Sequence, residues 1–107
     1  MTRTTQLTKG LKRRLMYVEN KHGDIDGADA RIGWVTFYKT GKSVYYRGRV
    51  LGKANLSSGN FMDIETRETY WVSGVKKRGS NTHWAESAVS VLIDDDAQEA
   101  YWAHMDS

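Results

Sequence analysis

The sequence predicts a mainly β fold: a small, twisted antiparallel sheet or partly open barrel of about five strands with a short C-terminal helix. Three observations carry that prediction. Segments rich in β-branched and aromatic residues alternate with clusters of Gly, Asn, Asp and Ser, the pattern of strands joined by turns. Aromatic residues make up 11% of the chain, with four tryptophans and no proline, so much of the core has to be aromatic and a Pro-rich linker is excluded. A single segment, "DDDAQEAYWAHM" at 94–105, places its apolar residues at helical spacing.

Taken in order, residues 1–10 are polar and threonine-rich and read as a flexible tail, leaving 11–107 as a single mainly-β domain. "LKRRLMYV" (11–18) fits a helix turn or a strand, and the Gly- and Asp-rich "ENKHGDIDGAD" after it is loop chemistry. "ARIGWVTFYK" (30–39) reads as a strand, Thr40-Gly41 as a turn, and "KSVYYRGRVL" (42–51) as the returning partner. A second hairpin runs from "GNFMDI" to "ETYWVSG", turning at Glu65-Thr66-Arg67. "VKKRGSNTH" is a polar loop, and "SAVSVLI" (87–93) a fifth strand. In the closing helix Asp96 stands three residues before Glu99, as in a capping box, with three aspartates at the positive end of the dipole. Ala97, Ala100, Tyr101 and His104 or Met105 share one face, so the helix is expected to cap an open end of the sheet.

The first hairpin concentrates the chemistry. A two-residue turn at Thr40-Gly41 pairs Phe37 with Val44, Thr36 with Tyr45, Trp34 with Arg47 and Ile32 with Arg49. Side chains alternate faces along a strand, so Val35, Phe37, Val44, Tyr46 and Val50 form a core face. Trp34, Tyr38, Tyr45, Arg47 and Arg49 share the other face, with Trp34 beside Arg47 in reach of a cation–π contact. Aromatic rings among guanidinium groups suit single-stranded nucleic acid, which offers bases to stack and phosphates to neutralise. On this reading Trp34, Tyr38 and Tyr45 stack on bases while Lys39, Lys42, Arg47 and Arg49 meet phosphates. The competing reading buries the same rings under the helix or another strand. Both stay open at this stage, because a one-residue slip of register would exchange the faces.

Charge and composition bound the partners. Residues 1–53 hold 12 Lys/Arg against 4 Asp/Glu and residues 54–107 hold 4 against 9, so +8 and −5 make up the net +3. Such asymmetry points to a nucleic-acid or membrane partner, or to mutual neutralisation of the halves across one fold. Absence of cysteine excludes disulfides, thiolate metal sites and a cysteine nucleophile. With neither a secretory signal nor a run of roughly 20 apolar residues, a cytoplasmic protein without a membrane partner is expected.

Other motifs carry less. His22, Asp24, Asp26 and Gly27 imitate the start of a calcium loop, but Gly33 stands where the bidentate Glu belongs, so no metal and no cofactor is expected. His83 and Trp84, in "GSNTHWAES", form a possible ligand site, and a small enzyme around His83 is the weakest of the functional readings. No nucleophile elbow, P-loop or dinucleotide fingerprint occurs, so the protein is not expected to be an enzyme.

The motifs "DARIGWV" (29–35), "TG" with "YYRG" (40–48), "YWVSG" (70–74) and "HW" (83–84) resemble those of a family of small bacterial proteins of similar length, over a stretch from about Met16 to the last strand. That resemblance implies a small bacterial β domain and brings no catalytic residue with it. Some of its members go by the name 1-deoxy-D-xylulose-5-phosphate synthase. That activity is not expected here, because a thiamine-diphosphate enzyme needs separate cofactor domains and a Gly-Asp-Gly…Asn metal motif. Arg67 stands where the resemblance implies a glycine, so a distorted second turn is expected. The expected function is a non-catalytic module for RNA or single-stranded DNA. The alternative is a protein-interaction or regulatory module using the same face; an exposed strand edge would also permit a homodimer without selecting one.

Overall fold

The structure, a computed structural model, describes residues 11–54, 59–77 and 90–106. The tail expected at 1–10, and His83 and Trp84, lie outside them. The described strands are β1 (Arg13–Asn20), β2 (Ala30–Phe37), β3 (Ser43–Tyr46), β4 (Arg49–Lys53), β5 (Phe61–Asp63), β6 (Thr69–Gly74) and β7 (Val91–Ile93). A 3-10 turn (Asp95–Ala97) and helix α1 (Gln98–Asp106) follow β7. The fold is mainly β, as expected. The first six strands form an antiparallel meander, and pairing of β6 with β1 closes it into a barrel.

Two features raise the strand count above five and complete the closure. The 11–18 stretch becomes a strand because both of its edges are taken. It pairs with β2 from Arg13↔Thr36 to Glu19↔Ala30 and with β6 from Met16↔Gly74 to Asn20↔Tyr70. The stretch 42–51 is two strands rather than one, because Arg47 (φ 47°) and Gly48 (φ 81°) both adopt the left-handed region. Successive positive φ values make the tight primed turn that matches strand twist. The chain therefore reverses, pairing Tyr46 with Arg49 and Val44 with Leu51, and Leu51, not Val50, is the fully buried residue.

Inside the barrel Val18, Val35, Val44, Tyr46, Leu51, Phe61, Tyr70 and Val72 pack together, with Ile25 closing one end. A second apolar layer lies outside the wall, where Tyr17, Ala30 and Ile32 meet Leu15, Trp71, Val75, Ile93 and Tyr101. Helix α1 belongs to this outer layer through Tyr101, so it covers a flank of a closed barrel rather than capping an open end. Its inward face is the expected one: Ala97 is buried and Ala100, Tyr101, His104 and Met105 are half-buried, whereas Trp102 and Ala103 are exposed. The expected capping box is not the start of this helix. The 3-10 turn comes first, and its N-cap Asp94 makes no side-chain cap.

The Asp94 side chain is engaged elsewhere, because of where β7 sits. Of the strand expected at 87–93, Val91–Ile93 pairs in parallel with Ala30–Ile32, while residues 87–89 lie outside the described ones. β7 thus takes the N-terminal half of the β2 edge, and β3 pairs with β2 only at Thr36↔Tyr45 and Phe37↔Val44. The wall is split between β2 and β3, and Asp94 follows β7 into the split with its N–H donating to the Ile32 carbonyl at 2.8 Å.

Candidate functional site

The strand directions give the barrel two ends. One gathers the start of β1, the β2–β3 loop and the end of β4, and is called here the Lys39 end. The other gathers the 21–29 loop, the Arg47-Gly48 turn and the β5–β6 turn, and is called the Asp26 end.

At the Asp26 end, cations and carboxylates meet. Asp26 (φ 51°) and Gly27 (φ 86°) form a primed turn of their own, closed by mutual hydrogen bonds between Ile25 and Ala28 at 2.7 and 3.2 Å. The turn presents the Asp26 carboxylate to two arginines. Arg49 grips it with both terminal nitrogens at 2.5 and 3.0 Å, and Arg47 Nε donates to it at 2.7 Å. The hydrogen bond from Arg49, then that from Arg47, holds the Asp26 carboxyl well below the usual carboxylate range against the opposing effect of burial. Asp24, the other acid of the calcium-like motif, accepts the Gly27 N–H at 3.1 Å.

Deeper in the same end lies a buried polar cluster. Arg31 donates to Asp94 Oδ1 at 2.9 Å, to the Ile25 carbonyl at 2.9 Å and to the Asp26 carbonyl at 2.7 Å. Tyr46 O–H donates to Asp94 Oδ2 at 2.5 Å. Burial, reinforced by that carboxylate, pushes the Tyr46 phenol above its ordinary range and keeps it a donor. Space for the Asp94 carboxylate exists because residue 33 is glycine: a methyl group there would overlap it and lie 3.0 Å from the Tyr46 ring.

The expected hairpin register is present as far as it extends. Thr36 faces Tyr45 and Phe37 faces Val44, and Tyr38 N–H donates to the Ser43 carbonyl at 3.1 Å. The connection is a four-residue loop, Lys39 to Lys42, with Gly41 N–H donating to the Tyr38 carbonyl at 2.8 Å and Gly41 itself at φ 70°. Beyond Thr36 the expected pairs fail, because the Arg47-Gly48 turn carries Arg47 and Arg49 away to Asp26. Trp34 therefore has no contact with Arg47 of the kind expected. Its ring is covered by the Arg13 guanidinium at 4.5 Å, and its Nε1–H donates to the Asp96 carbonyl at 2.9 Å.

Trp34 and Tyr45, both half-buried, line a groove of about 430 Å³ with Arg13, Arg47, Asp95 and Asp96. The expected set is thus divided: Trp34, Tyr45 and Arg47 share this groove, Arg49 is locked at the Asp26 end, and Tyr38, Lys39 and Lys42 belong to the Lys39 end. Sequence reasoning missed the cations that join the last three. Lys12, just ahead of β1, and Arg13 and Arg14 on it arrive beside β2: the Lys12 carbonyl accepts the Phe37 N–H at 2.8 Å, and Lys53 N–H donates to the Lys42 carbonyl at 2.7 Å. Arg14 lies 5.6 Å from the Phe37 ring centre. Their signal was present in "KRR" at 12–14, but only once that stretch is a strand beside β2 does it meet the hairpin.

The chain matches no protein-family model, no curated protein and no solved structure. The described residues contain no cluster of three or more potential metal ligands, and no helix among them is long and apolar enough to cross a membrane.

Proposed function

We propose that the protein is a small non-catalytic module that binds RNA or single-stranded DNA at the Lys39 end of its barrel. One observation carries the reading: Lys12, Arg13, Arg14, Lys39, Lys42 and Lys53 are all exposed, and none has an ion-pair partner among the described residues. Segments 11–14, 38–43, 53–54 and 74–77 contain no Asp or Glu; of the six cations Arg13 shares a groove with Asp95 and Asp96. Free cations gathered from separate strands raise the local potential and attract a polyanion. Arg47 and Arg49, already held by Asp26, are not part of the phosphate-binding set, and Trp34 serves to hold Arg13 flat rather than to stack on a base.

Titration of a labelled single-stranded oligonucleotide at several salt concentrations tests this. Each phosphate contact on a single strand contributes about 0.7 to the slope of log affinity against log salt. Lys39→Gln with Lys42→Gln should flatten that slope by about 1.4, while Arg49→Gln should leave it unchanged. Absence of binding at low salt, or a slope indifferent to the double substitution, sinks the proposal. A protein partner is the second reading, favoured by Leu92 and Trp102, which are 47% and 54% exposed and belong to β7 and α1 rather than to the cationic segments.

A further inference from the structure

We infer that the hollow lined by Leu11, Lys12, Phe37, Tyr38 and Lys39 receives one unpaired base, which makes binding depend on bases and favour single strands. The inference rests on the nucleic-acid reading above and adds what that reading lacks, a place for something other than phosphate. The hollow holds about 240 Å³ and sits among the unpaired cations of the Lys39 end. Its lining residues are one aliphatic, two aromatic and two lysines; Phe37 packs against the barrel core and has Arg14 5.6 Å from its ring centre, which leaves Tyr38 as the ring for stacking. Cations alone would suffice for a polyanion; a ring beside them suits a flat base whose flanking phosphates reach the lysines.

The geometry is prepared before any ligand arrives. Tyr38 is fixed through its own backbone, donating to Ser43 and accepting from Gly41 at 3.1 and 2.8 Å, and the adjacent Phe37 pairs with Val44 in the barrel wall. The competing aromatic surface at Trp34 and Tyr45 is a poorer base site, since Arg13 already covers Trp34 and Asp95 and Asp96 line the same groove, where they repel phosphate. A base within a duplex has both faces stacked and would have to be extruded to enter the hollow.

The test compares an oligouridylate with an abasic oligoribophosphate of the same length, each titrated with wild type, Tyr38→Ala and Tyr38→Phe. Wild type should prefer the base-bearing strand by at least about fivefold, the lower end of what one stacked base contributes. Tyr38→Ala should erase that preference while leaving abasic affinity unchanged, and Tyr38→Phe should keep it. Equal binding of both strands by wild type, or a preference that survives Tyr38→Ala, overturns the base pocket and leaves the polyanion reading standing. Failure of wild type to bind either strand overturns both.

Discussion

At the Lys39 end of the barrel Lys12, Arg14, Lys39 and Lys42 stand in solvent with no carboxylate paired to them among the described residues. At the Asp26 end Arg31, Arg47 and Arg49 each contact a carboxylate at 2.9 Å or closer. The same residue types therefore do different work. Cations that are already paired contribute to the fold and have little left to offer a ligand; unpaired ones repel each other and contribute to the fold only weakly, yet remain available to an anion. Substitutions at the Asp26 end should change stability and spare binding, with the reverse at the Lys39 end.

The largest expected effect is at Asp94. Arg31 and Asp94 form an ion pair whose side chains are 11% and 7% exposed, and removal of one partner from a buried pair costs about 3–5 kcal/mol because the other charge is left without compensation. Asp94→Ala should lose that amount in urea unfolding. Asp94→Asn should lose less, since the amide oxygen still accepts from Tyr46. Gly33→Ala should also destabilise, because the added methyl overlaps the Asp94 carboxylate. A loss below about 1 kcal/mol for Asp94→Ala would mean that the buried cluster does not lock β7 into the split wall.

How much of this was legible in the sequence follows from which interactions are local. The register of the first hairpin is set by alternation and a nearby turn, and Thr36↔Tyr45 and Phe37↔Val44 are as the pattern predicts. The reversal at Arg47-Gly48 was not legible, because arginine is not a residue that announces positive φ. Its stabilising partner Asp26 lies 21 residues away in sequence. Gly33 within a strand pattern was a readable signal of close backbone approach, but nothing local names Asp94, 61 positions later in the chain, as what approaches. Asp94 looked instead like the start of a helix with its aspartates arrayed against the dipole. Tyr38, Lys39 and Lys42 were identifiable as surface residues of one loop, whereas their joining with Lys12, Arg14 and Lys53 depends on barrel closure.

A smaller effect is expected at Asp26, through acid. Its folded-state pKa is depressed chiefly by the Arg49 hydrogen bond, so the unfolded chain binds the proton more readily than the folded one. The resulting stability is present above the unfolded carboxylate value of about 3.9 and is lost as pH falls from there toward the lower folded value. Asp26→Asn suits the left-handed turn position, which asparagine tolerates. It should be less stable than wild type by up to about 1 kcal/mol near neutral pH, as for other solvent-accessible pairs. That gap should close as pH drops below about 4. A gap that persists unchanged into acid would assign the effect to turn geometry rather than to the ion pairs.

The smallest effect sharpens the comparison most. Arg67 is exposed in the β5–β6 turn, has no ion pair among the described residues and holds φ at 67°, the left-handed conformation that glycine adopts most readily. Its N–H donates to the Asp63 carbonyl at 2.9 Å, while the Asp63 side chain accepts from Glu65 and Thr66 N–H at 2.8 and 3.2 Å, so the turn is held despite the residue. Arg67→Gly relieves about 1 kcal/mol of backbone strain, partly offset by the greater freedom of glycine in the unfolded chain, and should stabilise by about 0.5 kcal/mol. It also removes an unpaired cation that lines a hollow with Lys53 and Ala54 without being one of the six cations proposed to bind. If only those six meet phosphates, the salt slope for a single strand stays the same while the unfolding midpoint rises. A slope flattened by about 0.7 would mean that phosphate contacts reach past those six to Arg67, and that lack of an ion pair, more than place on the barrel, is what recruits the ligand.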